Sequence, residues 1–291
     1  MMDQASKLRS IVTPQVETKK DSVHSPIVYS VVSGKGGVGK TNFSVNLAIK
    51  LFKQGKKVLI MDADIGMSNV NIVLGVEVKH DLFYALHSGG KFEDVIVKSS
   101  YGPDLLSGGA EFFYLESLDY QSQQNILKEL KLLEEYDIVI IDNGAGISKQ
   151  SLAFTILADE IILITTPEPT AITDAYRVLK MISLYKLKNR VKLVVNQAQD
   201  KLAADESFEK LSKTSSEFLK LDLQSLGYIY SDIRVNKSIM DQEPLVIKYP
   251  HAVASQNIEN IAQALLSEEE IKDANISAIK QLGNRILRIF G

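Results

Sequence analysis

The chain contains no cysteine in its 291 residues, so disulfides and thiolate metal sites are excluded. Their absence suits the cytosol. It also lacks an apolar run of the roughly 20 residues that a transmembrane helix requires. The N-terminus carries Asp3 and no apolar core, which is not the pattern of a secretory signal. The formal net charge of −3 argues against a broad nucleic-acid-binding surface. We therefore expect no specific nucleic-acid partner.

A glycine-rich segment carries most of the functional information. Residues Gly34–Thr41 read Gly-Lys-Gly-Gly-Val-Gly-Lys-Thr and match the phosphate-binding pattern G-x-x-x-x-G-K-[ST]. An apolar, β-branched run at Ile27–Val32 predicts a preceding strand, and Thr41–Gln54 predicts a following helix. Backbone N–H groups of such a loop and the helix N-terminus bind phosphate oxygens. We expect Lys40 to reach the β- and γ-phosphates and the Thr41 hydroxyl to ligate Mg²⁺. The predicted nucleotide-binding residues of this segment are Gly36, Gly37, Val38, Gly39, Lys40, Thr41 and Asn42.

Two further apolar runs end in aspartates. Lys57–Met61 is followed by Asp62 and Asp64, and Tyr136–Ile141 is followed by Asp142. Ligands bind at the carboxyl ends of strands in open α/β sheets, so these side chains are candidates for the same site. We expect Asp142 to hold Mg²⁺ through its water shell and Asp64 to orient and polarise the attacking water. Asp62 is expected to support the metal.

The chain alternates strand and helix patterns from residue 27 onward. This alternation predicts an α/β fold, a doubly wound and mostly parallel sheet flanked by helices, in a single domain with terminal extensions. The predicted boundaries are 1–26 for an N-terminal segment and linker, 27–267 for the core domain and 268–291 for a hinge and tail. Further strands are predicted near Asp104–Ser107, Glu160–Thr166, Val191–Asn196 and Leu226–Tyr230, and helices near Gln121–Glu135, Thr170–Tyr185, Glu206–Leu221 and Ala252–Leu266.

The C-terminal tail has its own pattern. Residues 275–291 contain Lys280, Arg285 and Arg288 and no acidic residue, and apolar residues recur there at steps of three and four. This pattern predicts a basic amphipathic helix, which fits the surface of an anionic membrane. The alternative, that this helix only packs on the protein's own core, stays open.

These motifs together resemble the MinD/ParA class of deviant Walker ATPases, over about residues 27–267. The resemblance implies the P-loop NTPase fold, ATP and Mg²⁺ as ligands, and a homodimer that forms on ATP binding. It implies that Lys35 reaches the partner's phosphates in the manner of an arginine finger, and that Asn196 contacts adenine. The matching segments are Lys35–Thr41, Asp62–Gly66, Ile141–Gly146 and Thr166–Thr170.

The N-terminal segment Asp3–Arg9 resembles the D-Q-A-x-x-L-R signature of the flagellar-number ATPases of the FlhG (YlxH, FleN) group. This resemblance implies that residues 3–9, with Gln4 as the reaching residue, stimulate an FlhF-like GTPase. Flagellar switch proteins or a flagellar transcription regulator are further partners that it implies. It also implies a cytoplasmic protein that cycles to the inner face of the cell membrane, near the cell poles or flagellar bases.

Other functions remain open at the level of sequence. A division-site regulator of the MinD kind would share the tail but gives no reason for the Asp3–Arg9 segment. A ParA-type partition ATPase would need a basic surface that contacts DNA. A non-catalytic adaptor would bind nucleotide and barely hydrolyse it.

Overall fold

The computed structural model describes residues 26–64, 69–81, 84–85, 91–108, 130–146, 154–156 and 158–272. Among these residues, eight strands form one sheet. The strands are β1 (Ile27–Ser33), β2 (Val58–Ala63), β3 (Ile96–Lys98), β4 (Asp104–Ser107), β5 (Ile138–Asn143), β6 (Glu160–Thr165), β7 (Arg190–Ala198) and β8 (Asp222–Tyr230).

The spatial order of the strands is β3-β4-β2-β5-β1-β6-β7-β8, and only β3 runs antiparallel to its neighbour. Strands β1, β2 and β5 are buried along almost their whole length, which explains their nearly unbroken apolar sequences. The strands β2 to β5, which follow β1 in the sequence, lie on one side of β1 in the sheet. The later strands β6, β7 and β8 lie on its other side. The order of strands therefore reverses at β1, where ligands bind in such sheets.

Helices cover both faces of the sheet. They are α1 (Lys40–Lys53), α2 (Val70–Leu74), α3 (Phe92–Val95), α4 (Pro169–Leu184), α5 (Lys201–Leu219), α6 (Ile233–Met240), α7 (Leu245–Lys248) and α8 (Val253–Lys272), with a 3₁₀ helix at Leu130–Glu135. One core layer lies between the sheet and α1, α7 and α8. A second lies between the sheet and α4 and α5. This doubly wound α/β arrangement confirms the predicted fold class.

Helix α1 is anchored on the helices that follow the sheet. The buried Asn46 side chain accepts a hydrogen bond from the Val246 backbone N–H at 2.9 Å. One turn further along α1, Lys50 Nζ lies 2.8 Å from Glu259 Oε2 on α8. These contacts hold the helix that carries Lys40 and Thr41 against α7 and α8.

The predicted elements agree with the structure at most positions, and the differences have local causes. Helix α5 begins at Lys201 rather than near Glu206, because the Asp200 side chain accepts a hydrogen bond from the Ala203 N–H and caps the helix there. Of the helix predicted at Gln121–Glu135, only Leu130–Glu135 is described, and it is a 3₁₀ helix; the prediction for residues 121–129 lies outside the described ranges. Five short elements were not predicted, namely α2, α3, β3, α6 and α7.

The terminal extensions, residues 1–25 and 273–291, also lie outside the described residues. The predicted domain boundaries and the tail helix at 275–291 therefore stay predictions. None of the helices in the described part of the chain is long and apolar enough to cross a membrane.

Candidate nucleotide-binding site

The glycine-rich loop connects β1 to α1, as its sequence predicts. Lys40 is the first residue of α1 and is buried, while Thr41 follows it in the first turn. Gly39 precedes the helix with φ +86°, a left-handed conformation that favours glycine. A side chain at this position would also collide with its surroundings, because an added Cβ would lie 2.4 Å from Asn196 Nδ2. The backbone of the loop therefore requires glycine at position 39.

The Asp142 carboxylate is the centre of the site. It is 1% exposed, and its Oδ1 accepts hydrogen bonds from Lys40 Nζ at 3.0 Å and from Ser44 Oγ at 2.8 Å. Its Oδ2 accepts from Thr41 Oγ1 at 2.7 Å. Lys40 and Asp142 thus form a buried ion pair between the start of α1 and the end of β5. The structure brings together three of the predicted functional side chains in this cluster.

Asp62 and Asp142 are neighbours in register on β2 and β5. The Asp62 carboxylate, 1% exposed, accepts hydrogen bonds from the backbone N–H groups of Asp64, Asn69 and Val70 at 3.1, 3.2 and 3.3 Å. These contacts order the backbone at the start of α2 and fix the position of Asp64 relative to β2. Support of a metal by Asp62 stays a prediction.

Asp64 lies against the loop that follows β5. A Cβ added to Gly144 would lie 2.8 Å from Asp64 Oδ1, so the absence of a side chain there leaves room for the carboxylate. The same loop is joined to the phosphate loop, because the Gly146 N–H donates to the Ser33 carbonyl at 2.9 Å. Asp64 therefore lies beside the strand ends that carry Asp142 and the phosphate loop.

Lys35 forms its ion pair and hydrogen bond with residues at the start of α4. Its ammonium contacts Glu168 Oε2 at 2.9 Å and Thr170 Oγ1 at 3.0 Å, both at the start of α4. The Lys35 and Glu168 side chains are 40% and 65% exposed. The hydrogen bond from Lys35 lowers the pKa of the Glu168 carboxyl below its ordinary value. Lys35 is thus a partly exposed cation at the surface of the site.

Asn196 lies at the end of β7, beside the phosphate loop. Its Nδ2 donates to the Val38 carbonyl at 2.7 Å, and its Oδ1 accepts from the Gln197 N–H at 2.9 Å. The Gln197 side chain donates to the Gly37 carbonyl at 3.3 Å. Asn42 in α1 accepts a hydrogen bond from Asn46 at its backbone carbonyl, at 2.7 Å. The roles of Asn196 at adenine and of Asn42 at nucleotide stay predictions.

Sequence reasoning missed several side chains of the site. Ser44 follows Lys40 by one helical turn, and that spacing is a signal that could have placed it near Asp142. Glu168 and Thr170 lie in a segment that resembles the family, yet the pattern alone does not pair them with Lys35. Nothing in the sequence around Gln197 indicates a contact with the loop.

The donor set suits a hard cation. The Thr41 hydroxyl and the Asp142 carboxylate offer oxygen atoms 2.7 Å apart at the loop, the type of ligand that Mg²⁺ prefers. The described part of the chain holds no group of three or more His, Asp or Glu side chains that could bind a metal alone. A Mg²⁺ site here would therefore depend on phosphate oxygens and water as further ligands, as is usual for this ion.

Comparison with known proteins decides the family. A family model described as "ParA: NUBPL iron-transfer P-loop NTPase" matches residues 25–266. The chain belongs to the ParA family of P-loop NTPases. Proteins of the ParA and MinD kind are ATPases, so this chain is an ATP hydrolase, and the predicted MinD/ParA class is confirmed.

Two curated relatives and one solved structure illustrate the similarity. The flagellum site-determining protein YlxH of Helicobacter pylori is 31% identical over 300 residues, which cover 100% of both chains. The antiactivator FleN of Pseudomonas aeruginosa is 31% identical over 245 residues, 83% of this chain and 87% of FleN. The septum site-determining protein MinD of Pyrococcus horikoshii, solved with Mg-ADP, is 26% identical at a TM-score of 0.66. That similarity covers 86% of this chain and 100% of the MinD chain.

Removing the charge of Asp142 should destabilise the folded protein. Asp142→Asn leaves the buried Lys40 ammonium without its carboxylate, and we expect the free energy of unfolding to fall by about 3 kcal/mol. Urea denaturation followed by circular dichroism measures the change.

A double-mutant cycle with Lys40→Met isolates the ion pair. The double variant should be more stable than the sum of the single effects predicts, because neither charge is then left unpaired. Asp205→Asn, in the exposed Lys201–Asp205 pair, is the matched control and should change stability little. Strictly additive effects of Lys40→Met and Asp142→Asn would contradict the assigned pairing.

Proposed function

We propose that this ATPase is a membrane-associated switch that regulates the number or placement of flagella. ATP binding joins two copies, the pair binds the membrane, and hydrolysis separates it. The observation that carries the flagellar assignment is the match to YlxH, a flagellum site-determining protein, over 100% of both chains. The N-terminal Asp3–Arg9 signature lies within that match.

In this proposal, the Asp142 cluster binds the triphosphate. Lys40 has three donors and uses one on Asp142, so it retains donors for the β- and γ-phosphates. Thr41 and Asp142 would hold Mg²⁺, which when bound neutralises charge on the phosphates. Asp64 would orient and polarise the water that attacks the γ-phosphorus.

Lys35 is the residue that makes the switch depend on a second copy. It is partly exposed, and its partners Glu168 and Thr170 lie at the surface of the same chain. Exposed ion pairs contribute little to stability, so little opposes the transfer of Lys35 to another anion. We infer that in the ATP-bound pair each Lys35 lies against the phosphates bound by the other copy. There it neutralises charge on the transferred phosphoryl group.

In this proposal, the two terminal segments bind the membrane and the protein partners. Residues 275–291 would bind the anionic inner face of the cell membrane as a basic amphipathic helix. One such helix binds weakly, whereas two on a dimer act together and can raise the apparent affinity by roughly 10²–10⁴. Residues 3–9 would stimulate an FlhF-like GTPase. Flagellar switch proteins or a flagellar transcription regulator are candidate further partners.

A division-site regulator is the second candidate function. The structural similarity to a septum site-determining MinD over 86% of this chain favours it. That similarity concerns the part of the fold that MinD and flagellar ATPases share, so it does not distinguish them. The N-terminal segment 3–9 distinguishes the two functions, because a role at the division site does not explain its presence.

The proposed switch predicts the behaviour of Asp64→Ala. This variant should bind ATP and form dimers. Its rate of ATP hydrolysis should fall by at least about 100-fold, because it lacks the group that orients the attacking water. It should therefore remain on vesicles of anionic lipid after ATP is added. Gel filtration, phosphate release and vesicle flotation measure the three properties.

The same variant without residues 275–291 is the control, and it should dimerise with ATP but not float with vesicles. Asp81→Ala, which removes an aspartate outside the Asp142 cluster, should hydrolyse ATP at the rate of the unaltered chain. An Asp64→Ala variant that stays monomeric with ATP would contradict the switch.

Lys35 should be required for both dimerisation and turnover. We expect Lys35→Ala to retain ATP binding, because Lys40 and the loop N–H groups remain, but to stay monomeric with ATP. Its hydrolysis should fall by at least about 10³-fold, as for loss of an arginine finger. Lys53→Ala, an exposed lysine at the end of α1, is the matched control. Unchanged self-association and turnover of Lys35→Ala would refute the role in trans.

Deleting residues 1–9 separates the flagellar function from the division-site function. The truncated chain should dimerise and hydrolyse ATP alone as before but fail to stimulate an FlhF-like GTPase. Gln4→Ala should reproduce the loss, and Gln15→Ala should not. In cells, replacement by the truncated chain should change flagellar number without producing minicells. Minicells with normal flagellar number would favour the division-site function.

A further inference from the structure

Two consecutive amide side chains at the end of β7 hold two consecutive carbonyls of the phosphate loop. Asn196 Nδ2 donates to the Val38 carbonyl at 2.7 Å, and Gln197 Nε2 donates to the Gly37 carbonyl at 3.3 Å. The residues of each pair are 158 and 160 positions apart in the sequence. Strand β6 lies between β1 and β7 in the sheet, so these contacts cross from β7 over the end of β6 to the loop.

These bonds determine where the loop N–H groups point. In a planar trans peptide, the carbonyl of one residue and the N–H of the next point in opposite directions. Holding the Gly37 and Val38 carbonyls toward β7 therefore turns the N–H groups of Val38 and Gly39 the other way. Those N–H groups belong to the segment that cradles phosphate in a loop of this pattern.

The backbone is distorted where it presents the two amides. Gln197 has φ +56°, which is unfavourable for a residue other than glycine. The pairing of β7 with β8 also shifts register between Val195 and Ala198, so the strand bulges there. Backbone strain of this kind persists where the surrounding structure requires it, and it concentrates at functional sites.

The loop in turn accommodates the amides. Asn196 Nδ2 lies so close to Gly39 that an added Cβ would be 2.4 Å away. The Gln197 N–H, donating to Asn196 Oδ1 at 2.9 Å, fixes which end of the Asn196 amide faces the loop. The second N–H of Asn196 remains for another acceptor, since a primary amide carries two.

We propose that Asn196 and Gln197 are positioning residues that hold the phosphate loop in its anion-binding shape. They act through the Gly37 and Val38 carbonyls rather than on the phosphates. This goes beyond contact with adenine, which concerns Asn196 alone and the base alone. It rests on the proposed binding of ATP at this loop. Strand β7, which carries the predicted adenine contact, would then also order the loop that binds the phosphates.

The test compares ATP with inorganic tripolyphosphate, which has no base. Isothermal titration measures both affinities for the unaltered chain and for Asn196→Ala and Gln197→Met. The methionine is nearly as long as glutamine but cannot donate a hydrogen bond. If the amides order the loop, each variant loses affinity for tripolyphosphate by about 3- to 10-fold, the factor that one neutral hydrogen bond provides.

Gln199→Met is the matched control, because Gln199 is exposed on the same segment, and it should bind both ligands like the unaltered chain. Circular dichroism confirms that each variant is folded, so a changed affinity reports on the loop. If the variants lose affinity for ATP but bind tripolyphosphate like the unaltered chain, the positioning role is overturned, while the proposed function is unaffected because the unaltered chain still binds ATP. Failure of the unaltered chain to bind either ligand would instead refute the proposed function itself, and the inference with it.

Discussion

The site depends on one buried carboxylate. Asp142, at the end of β5, accepts hydrogen bonds from Lys40, Thr41 and Ser44, all in the first turns of α1. A buried carboxylate is costly unless it is paired and hydrogen-bonded, and the donors of α1 satisfy both conditions. The same bonds fix the start of α1 over the sheet. The position of the glycine-rich loop, which joins β1 to α1, therefore follows from this cluster.

Helix α1, which begins at the Asp142 cluster, also contacts the last two helices of the described chain, α7 and α8. Helix α1 carries Asn46 and Lys50 about two and three turns after its first residue, Lys40, and these contact Val246 of α7 and Glu259 of α8. Helix α8 then leads to the hinge and tail. Helix α1 thus follows the phosphate-binding loop directly and contacts α8, the helix that precedes the predicted membrane-binding segment in the sequence.

The predictable parts of this fold are those with long or specific local patterns. Strands β1, β2, β4 and β5 and helix α1 lie within a few residues of their predicted positions, because apolar strands and an amphipathic helix show clear periodicity over several residues. The short elements α2, β3 and α7 contain five residues or fewer, too few for a period to appear. Of the helix predicted at Gln121–Glu135, the described residues Leu130–Glu135 are a 3₁₀ helix, a distinction that the apolar pattern does not make.

What the sequence alone determined is the chemistry of the loop. Glycines, a lysine and a threonine at fixed spacing between a strand and a helix specify phosphate binding, because each requirement is satisfied within ten residues. The tertiary structure decided which distant groups complete the site. It paired Asp142 with Lys40 across 102 positions, Lys35 with Glu168 across 133, and Asn196 with the Val38 carbonyl across 158. Such pairs depend on how strands are ordered in the sheet, and no local pattern encodes that order. The contact of Gln197 with the Gly37 carbonyl therefore follows from the tertiary structure and not from the sequence.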